Sequence, residues 1–501
     1  MTVPTGELPD GSRLAAAKGA RVSLLLLLGI NMFNYMDRYI LAAALPRIEV
    51  DPAIAPVSKG QLGLLTTAFV ASYLVLSPVF GWLGDRMSRW LLVGVGVILW
   101  SLASGGSGLA TAYTVLLLTR AFVGVGEAAY GPVAPSLLSD LYPVRMRGWV
   151  MAWFYAAIPV GSALGYVLGG VVADSALGWR WAFYMVVFPG IILGLLSLLM
   201  KEPARGLSDA AVGHGVAGLR DCICLARIPS YVYNTVAATA MCFAIGGVAI
   251  WMPTYIYERE GHYVWTPEVK QKLRAEKDDP LPPDLVERLD RVPDRPAEQF
   301  LTLTDFEKEL AAAGSGWKVH RATILKVSRT ADSQSLSSIN TIFGGILAVG
   351  GLVATIVGGL VGDWLRPRFP GSYFQVSGWA AVFGVPTFLL VLITPFPYAW
   401  GLLFLSILGL FFNTGPSNTI LANVSPPGIR SSAFAINILA IHILGDAISP
   451  TLIGFIADYS SLQFAFFLLS AVILLAAGSW LFGSKHLAPD TERAPTLLAK
   501  C

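Results

Sequence analysis

Charge is what this sequence lacks. Of its 501 residues only 13% are Asp, Glu, Lys or Arg, against about 25% in a soluble domain. A chain this poor in charge cannot clothe an ordinary globular surface. The net charge of +3 provides no basic field for nucleic acid. Cysteines number 4 and histidines 5, too few for a disulfide scaffold. Cys222 and Cys224 form a lone C-x-C without metal partners and read as ordinary thiols. No cysteine falls in an expected external loop, so no structural disulfide is expected. There is no phosphate-binding glycine loop, no metal set and no Ser-His-Asp arrangement. Together these gaps argue against an enzyme, a resident cofactor or an ATP-driven pump.

What the chain has instead is 55% hydrophobic residues, gathered into runs of twenty or more. Each run can cross a hydrocarbon core of about 30 Å as a helix. Lipid offers the backbone no hydrogen-bond partners, so these runs are expected to be helices. Twelve spans are expected, at 20–45, 58–83, 90–110, 113–139, 147–173, 180–200, 229–257, 335–362, 372–394, 397–424, 430–457 and 461–483. Arg86, Arg89, Arg145, Arg147, Lys201, Arg205, Arg366, Arg368 and Arg430 fall in alternate connections. The loops Ser104 to Tyr113 and Thr394 to Tyr398 carry no charge. By the positive-inside rule, both termini face the cytoplasm. The first span is long, contains charges and has no small-residue cleavage site, so it reads as a retained helix.

The loop Gly81-Trp82-Leu83-Gly84-Asp85-Arg86-Met87-Ser88-Arg89 has a weaker copy at Gly358-Gly359-Leu360-Val361-Gly362-Asp363-Trp364-Leu365-Arg366-Pro367-Arg368. Two such loops, at matching places, indicate a duplicated membrane protein, and folds built this way mostly move solutes. The expected organisation is a six-helix bundle over 1–200, a cytoplasmic linker over 201–228, a second bundle over 229–485 and a cytoplasmic tail over 486–501. Residues 258–327 are an external insertion of mixed charge, with helical pieces expected at 267–276 and 305–312. The insertion reads either as a cap over the external mouth or as a tolerated surface addition.

Gly81, Leu83, Asp85, Arg86 and Arg89 resemble the loop between the second and third helices of the major facilitator superfamily, with Ser88 where a glycine is usual. Asn31 to Tyr39, Arg120 to Ala128 and His442 to Pro450 look like the spinster branch of that superfamily. The resemblance implies two pseudo-symmetric six-helix bundles, alternating access, and transport of a lysophospholipid or sphingoid lipid. A small organic anion or drug is the alternative substrate. From another class, a receptor that binds without transporting is possible, though the paired loops argue against it. The insertion suggests a bacterial member in the inner membrane, for which a monomer suffices.

Ionisable residues inside spans are costly and default to functional candidates. By helical rise, Asp37 and Arg120 reach nearly the same depth, and Glu127 follows Arg120 on one face, two turns away. Asp37, Arg38, Arg120 and Glu127 are expected to form one cluster. Adjacent residues point about 100° apart, so Asp37 and Arg38 cannot share a partner well. Asp37, Glu127 and Arg120 are the proton-coupling candidates, with a static ion network as the alternative. Asn31, Asn34 and Arg38 make a polar stripe expected to line a cavity. His442 and Asp446 stack at i, i+4, to titrate or to hold a headgroup. A zinc site there lacks an evident third ligand. The substrate-binding candidates are therefore Arg38, Asn34, Arg120, His442 and Asp446. The gating candidates are Asp85, Arg86, Arg89, Arg147, Asp363 and Arg366, with Asp85 meeting a helix N-terminus or Arg147. Gly161, Gly165, Gly169 and Gly170 suit close helix packing.

Overall fold

A computed structural model of the chain describes residues 19–494 apart from 55, 85, 143, 204–223, 278–279, 297 and 427–429. Six spans form the first bundle. They are α1 (Ala20–Glu49), α2 (Lys59–Gly84), α3 (Arg89–Gly108), α4 (Tyr113–Tyr130) continued by α5 (Val133–Leu141), α6 (Val144–Asp174) and α7 (Trp179–Leu198). The second bundle begins with α8 (Pro229–Arg259). Four short helices of the insertion follow, α9 (Pro267–Ala275), α10 (Pro283–Asp290), α11 (Leu303–Leu310) and α12 (Arg321–Ser328). The bundle then resumes with α13 (Leu336–Leu365), α14 (Ser372–Ile393), α15 (Tyr398–Phe411) continued by α16 (Thr414–Val424), α17 (Arg430–Ile441) continued by α18 (Ser449–Tyr459), and α19 (Leu462–Gly483). A terminal helix α20 (Leu487–Arg493) lies where a tail was expected, and Asp490 accepts from the N-terminal Ser230 N–H of α8 at 2.9 Å.

Ten helices among the described residues are long and apolar enough to cross a membrane. The other two spans, α1 and α4–α5, hold the buried charges that lower their apolarity. Three spans are broken. The fourth breaks at Gly131-Pro132, where a Cβ on Gly131 would meet Tyr73 Oη at 2.7 Å. The tenth breaks beside Asn413, whose side chain donates to Leu410 O at 2.5 Å. The eleventh contains a single π turn, His442–Asp446, with Gly445 at φ −102°, ψ −105°. Such turns occur often at functional sites.

Small residues set the closest packing. Cβ atoms at Gly161 and Gly165 of α6 would lie 2.3 and 2.5 Å from the Met32 and Met36 carbonyl oxygens of α1. Backbone cannot yield as a side chain can, so only glycine permits this approach.

The bundles meet at the insertion side. Asp458 of α18 accepts the Lys59 and Gly60 N–H groups that open α2, at 2.7 and 2.8 Å. Thr67 lies 2.7 Å from Thr451. Tyr166 of α6 donates to Ala249 O at 2.5 Å, and Asn340 of α13 donates to Ala43 O at 3.3 Å. Thr67 is eight residues into α2, about 12 Å from its insertion-side end. The cross-bundle hydrogen bonds among the described residues fall within that depth.

The insertion folds on its own apolar cluster, including Trp265, Leu273, Leu289, Phe306 and Trp317. The two helical pieces expected there are present as α9 and α11. Helices α10 and α12 are present in addition to the two expected. Cys224 is disulfide-bonded, which corrects the expectation of ordinary thiols, whereas Cys242 is free. Most of the expected linker lies outside the described residues.

Candidate functional site

The four expected charges meet between α1 and α4 as two separate pairs. Arg120 Nη2 donates to Asp37 Oδ2 at 3.2 Å, with both side chains at most 2% exposed. Ser104 of α3 donates to Asp37 Oδ1. Arg38 donates to Glu127 Oε2 twice, from Nε at 2.9 Å and Nη2 at 2.5 Å. The offset between adjacent residues produces this split, because each turns toward a different level of α4. Arg38 differs from the rest in being 26% exposed, while Glu127 is 1% exposed. Its guanidinium lies 4.8 Å from the Tyr35 ring, 5.0 Å from Phe69 and 5.6 Å from Tyr73. Guanidinium stacks well on aromatic faces and keeps its fork free for anions.

The network is incompletely satisfied. Arg120 Nε and Nη1 and Glu127 Oε1 are buried without a hydrogen-bond partner. Unpaired polar atoms are costly in a low-dielectric setting.

The polar stripe on α1 behaves differently from the expectation. Asn31 and Asn34 are 4% and 3% exposed, and Asn31 donates to Phe154 O of α6 at 2.8 Å. Interhelical bonding has claimed Asn31, and Asn34 is closed to a ligand in this conformation. Arg38 alone of the stripe faces open space.

His442 and Asp446 pair as expected, with Nδ1 3.0 Å from both carboxylate oxygens. Both are about one-third exposed, at 33% and 30%. The gating candidates are more scattered. Arg89 is buried and bonds Asp140 of α5 at 2.6 Å and Glu202, just beyond α7, at 2.7 Å. Arg86 stacks on Trp82 at 4.0 Å. Asp363 accepts from Tyr373 Oη at 2.6 Å, and Arg366 sits 5.7 Å from that ring. Asp85 lies outside the described residues, and Arg147 lies in α6 without a described side chain.

Sequence reasoning missed a second ionic group, on the insertion side. Lys59 of α2, 8% exposed, bonds Glu258 of α8 at 2.6 Å and Glu49 of α1 at 3.2 Å. Arg321 of α12 joins the same carboxylates and also Glu307 of α11. Burial works against the Arg321 charge, but Glu258, Glu307 and Glu49 outweigh it and hold its pKa above the ordinary value. Lys59, Glu49 and Glu258 sit at span ends and Arg321 and Glu307 in the insertion, where charge is ordinary, so no local signal marks them.

Two six-helix bundles, joined at one face and carrying ion pairs at mid-depth, define a transporter of the alternating-access kind rather than an enzyme. Residues 27–267 match the Major Facilitator Superfamily. The chain is 31% identical over 468 residues to protein spinster homolog 3 of Danio rerio, covering 91% of this chain and 81% of that one. It is 31% identical over 516 residues to protein spinster homolog 1 of Homo sapiens, covering 97% and 86%. It belongs to the spinster family of that superfamily. Its fold is similar to an inward-facing bacterial homologue of the human lysosomal transporter spinster, with a TM-score of 0.72 at 18% identity, covering 95% of this chain and 99% of that one.

Proposed function

We propose that the chain is a proton-coupled secondary transporter of an amphipathic lipid, of the lysophospholipid or sphingoid class, in a bacterial inner membrane. The observation that carries this reading is the shared role of Arg38. It neutralises the buried Glu127, yet presents a part-exposed guanidinium among three aromatic rings. A proton on Glu127 would release Arg38, and the freed fork suits a phosphate or other anionic headgroup. Proton and anion then favour each other's binding, which is coupling in the thermodynamic sense.

Asp37 and Arg120 form a second unit in this reading. Their pairing fixes α1 against α4, and Ser104 holds the carboxylate oxygen that Arg120 does not. Loss of the Arg120 contact would favour the protonated carboxyl, because burial disfavours an unpaired charge.

The basic connections support an insertion that faces outward, with both termini in the cytoplasm. The described cross-bundle hydrogen bonds then lie toward the outside, as expected of an outward-closed state. The lipid class rests on the resemblance of Asn31 to Tyr39 and His442 to Pro450 to the spinster branch, together with the apolar lining around Arg38. His442 and Asp446, part-exposed on the opposite bundle, would take the headgroup's other side.

Reconstituted protein in liposomes tests the reading. Labelled lysophospholipid and sphingosine-type lipid should move only under a proton gradient. Movement indifferent to the gradient removes the coupling. Absence of lipid movement with uptake of a small organic anion would transfer Arg38 to that substrate class. Binding of either without movement would leave a receptor.

A further inference from the structure

The π turn in the eleventh span brings together three side chains that no sequence spacing connects. Cys242 of α8, His442 and Asp446 place one ligand atom each within 4.8 Å of one another. We propose that these three residues form a binding site for a divalent transition metal of the zinc class. The proposal stands whether or not the transported substrate is a lipid.

The first argument is ligand chemistry. A thiolate, an imidazole and a carboxylate are a donor set that suits zinc and discriminates against magnesium or calcium, which take oxygen ligands. Zinc bonds of about 2.3 Å to sulfur and about 2.0 Å to nitrogen would place tetrahedral donors about 3.5 Å apart. Rotamer adjustment of one or two side chains closes the present spacing. His442 Nδ1 and Asp446 are already 3.0 Å apart. A metal there would take the place of the direct His442–Asp446 contact.

The second argument is construction. The site needs two helices at very close range, and two glycines provide it. A Cβ on Gly445 would meet Cys242 Cβ at 3.1 Å and Phe243 N at 3.2 Å. A Cβ on Gly246 would meet Asp446 Cβ at 2.7 Å. The π turn inserts the extra residue that swings this part of the helix toward α8. Without it, an ordinary α-helix would carry His442 and Asp446 past Cys242 at a different angle.

The third argument is accessibility. The three residues are part-buried, and the His442 and Asp446 side chains are 33% and 30% exposed. A metal can enter, and three protein ligands leave a fourth position open to water or an anionic group, as in sites that exchange ligands. The sequence reading set zinc aside for want of a third ligand. Cys242 lies two hundred residues away in an apolar run, where nothing marked it.

Cobalt makes the site visible. Full-length protein with Cys222, Cys224 and Cys501 changed to Ser, leaving Cys242 as its sole thiol, is titrated with Co²⁺ in detergent. The expected result is one Co²⁺ per chain with a thiolate-to-cobalt charge-transfer band, displaced by Zn²⁺. Cys242→Ser should abolish the band. His442→Ala and Asp446→Asn should each weaken Zn²⁺ binding by at least the roughly 10- to 100-fold that disturbing outer-shell partners already costs. A thermal melt of each variant shows that it is folded. Folded protein that gives no band, or a band that survives Cys242→Ser, overturns the proposal. So does affinity unchanged by both His442→Ala and Asp446→Asn.

Discussion

Arg38 gives two guanidinium nitrogens to a single oxygen of Glu127, Oε2, while Oε1 of the same carboxylate stays buried without a partner. A fork facing a carboxylate normally takes both oxygens. Here one oxygen does all the accepting, and the other is open to a proton. Glu127→Gln keeps the shape and removes that option. A hydrogen bond to a charged group contributes about 1.5–3 kcal/mol. Gradient-driven uptake by Glu127→Gln liposomes should therefore fall about tenfold or more, while exchange without a gradient persists. Equal uptake with the wild type would remove Glu127 from coupling.

The Asp37–Arg120 pair is sealed, so its energetics should differ. Removing one partner of a buried pair leaves an uncompensated charge and costs about 3–5 kcal/mol. Asp37→Asn and Arg120→Gln should each lower the melting temperature in detergent. The double variant should recover much of that loss, since no lone charge remains, yet still fail to couple protons. A double variant less stable than either single one would contradict the pairing.

The sequence made much of this legible. Span positions needed only length and apolarity, and the observed helices start and stop within a few residues of the expected ones. Asp37, Arg38, Arg120 and Glu127 were readable because charge inside lipid is rare and helical rise fixes depth. One cluster was expected, and the structure divides it into two pairs because adjacent residues on α1 point about 100° apart. Arg89, a gating candidate, finds its partners in Asp140 of α5 and Glu202 of the connection after α7, contacts that only the folded bundle brings within reach. The Lys59 group and Cys242 were invisible because each depends on helices brought together across the fold, not along it.

Asp51 ties the loop after α1 to the start of α7. It accepts from Trp179 Nε1 at 2.9 Å, from Ala53 N at 2.9 Å and from Arg180. Burial pushes its carboxyl up, but the bonds from Arg180, Trp179 and Ala53 outweigh that and hold it below the usual carboxylate value. A depressed folded pKa means the unfolded chain binds the proton more readily in acid. The stabilisation is therefore full above the ordinary carboxylate pKa and is lost as pH falls through the folded value. Asp51→Asn should cost about 1–3 kcal/mol near neutrality. The wild-type advantage should shrink as melts are taken below about pH 4, and an advantage that grows with acid would reverse the sign argued here.

Two glycines make contacts that exist only while the insertion side is closed. A Cβ on Gly63 of α2 would lie 2.4 Å from Pro450 O, and one on Gly454 of α18 would lie 2.3 Å from Lys59 O. Both obstacles are backbone on the opposite bundle, so no rotamer change relieves them. The three atoms nearest each added methyl all belong to the opposite bundle. Gly63→Ala and Gly454→Ala should therefore spare folding and disfavour the closed state. A coupling of about 1–3 kcal/mol corresponds to roughly a 5- to 150-fold change in population. Thr67→Cys, placed where Thr67 meets Thr451 across the interface, reports the change through alkylation by an impermeant maleimide. Reaction from the insertion side should accelerate in both alanine variants. Arg321→Ala should accelerate it by a separate route, since Arg321 clamps Glu258 and Glu49 from the insertion. Unchanged labelling in all three would mean that the insertion-side contacts do not govern access.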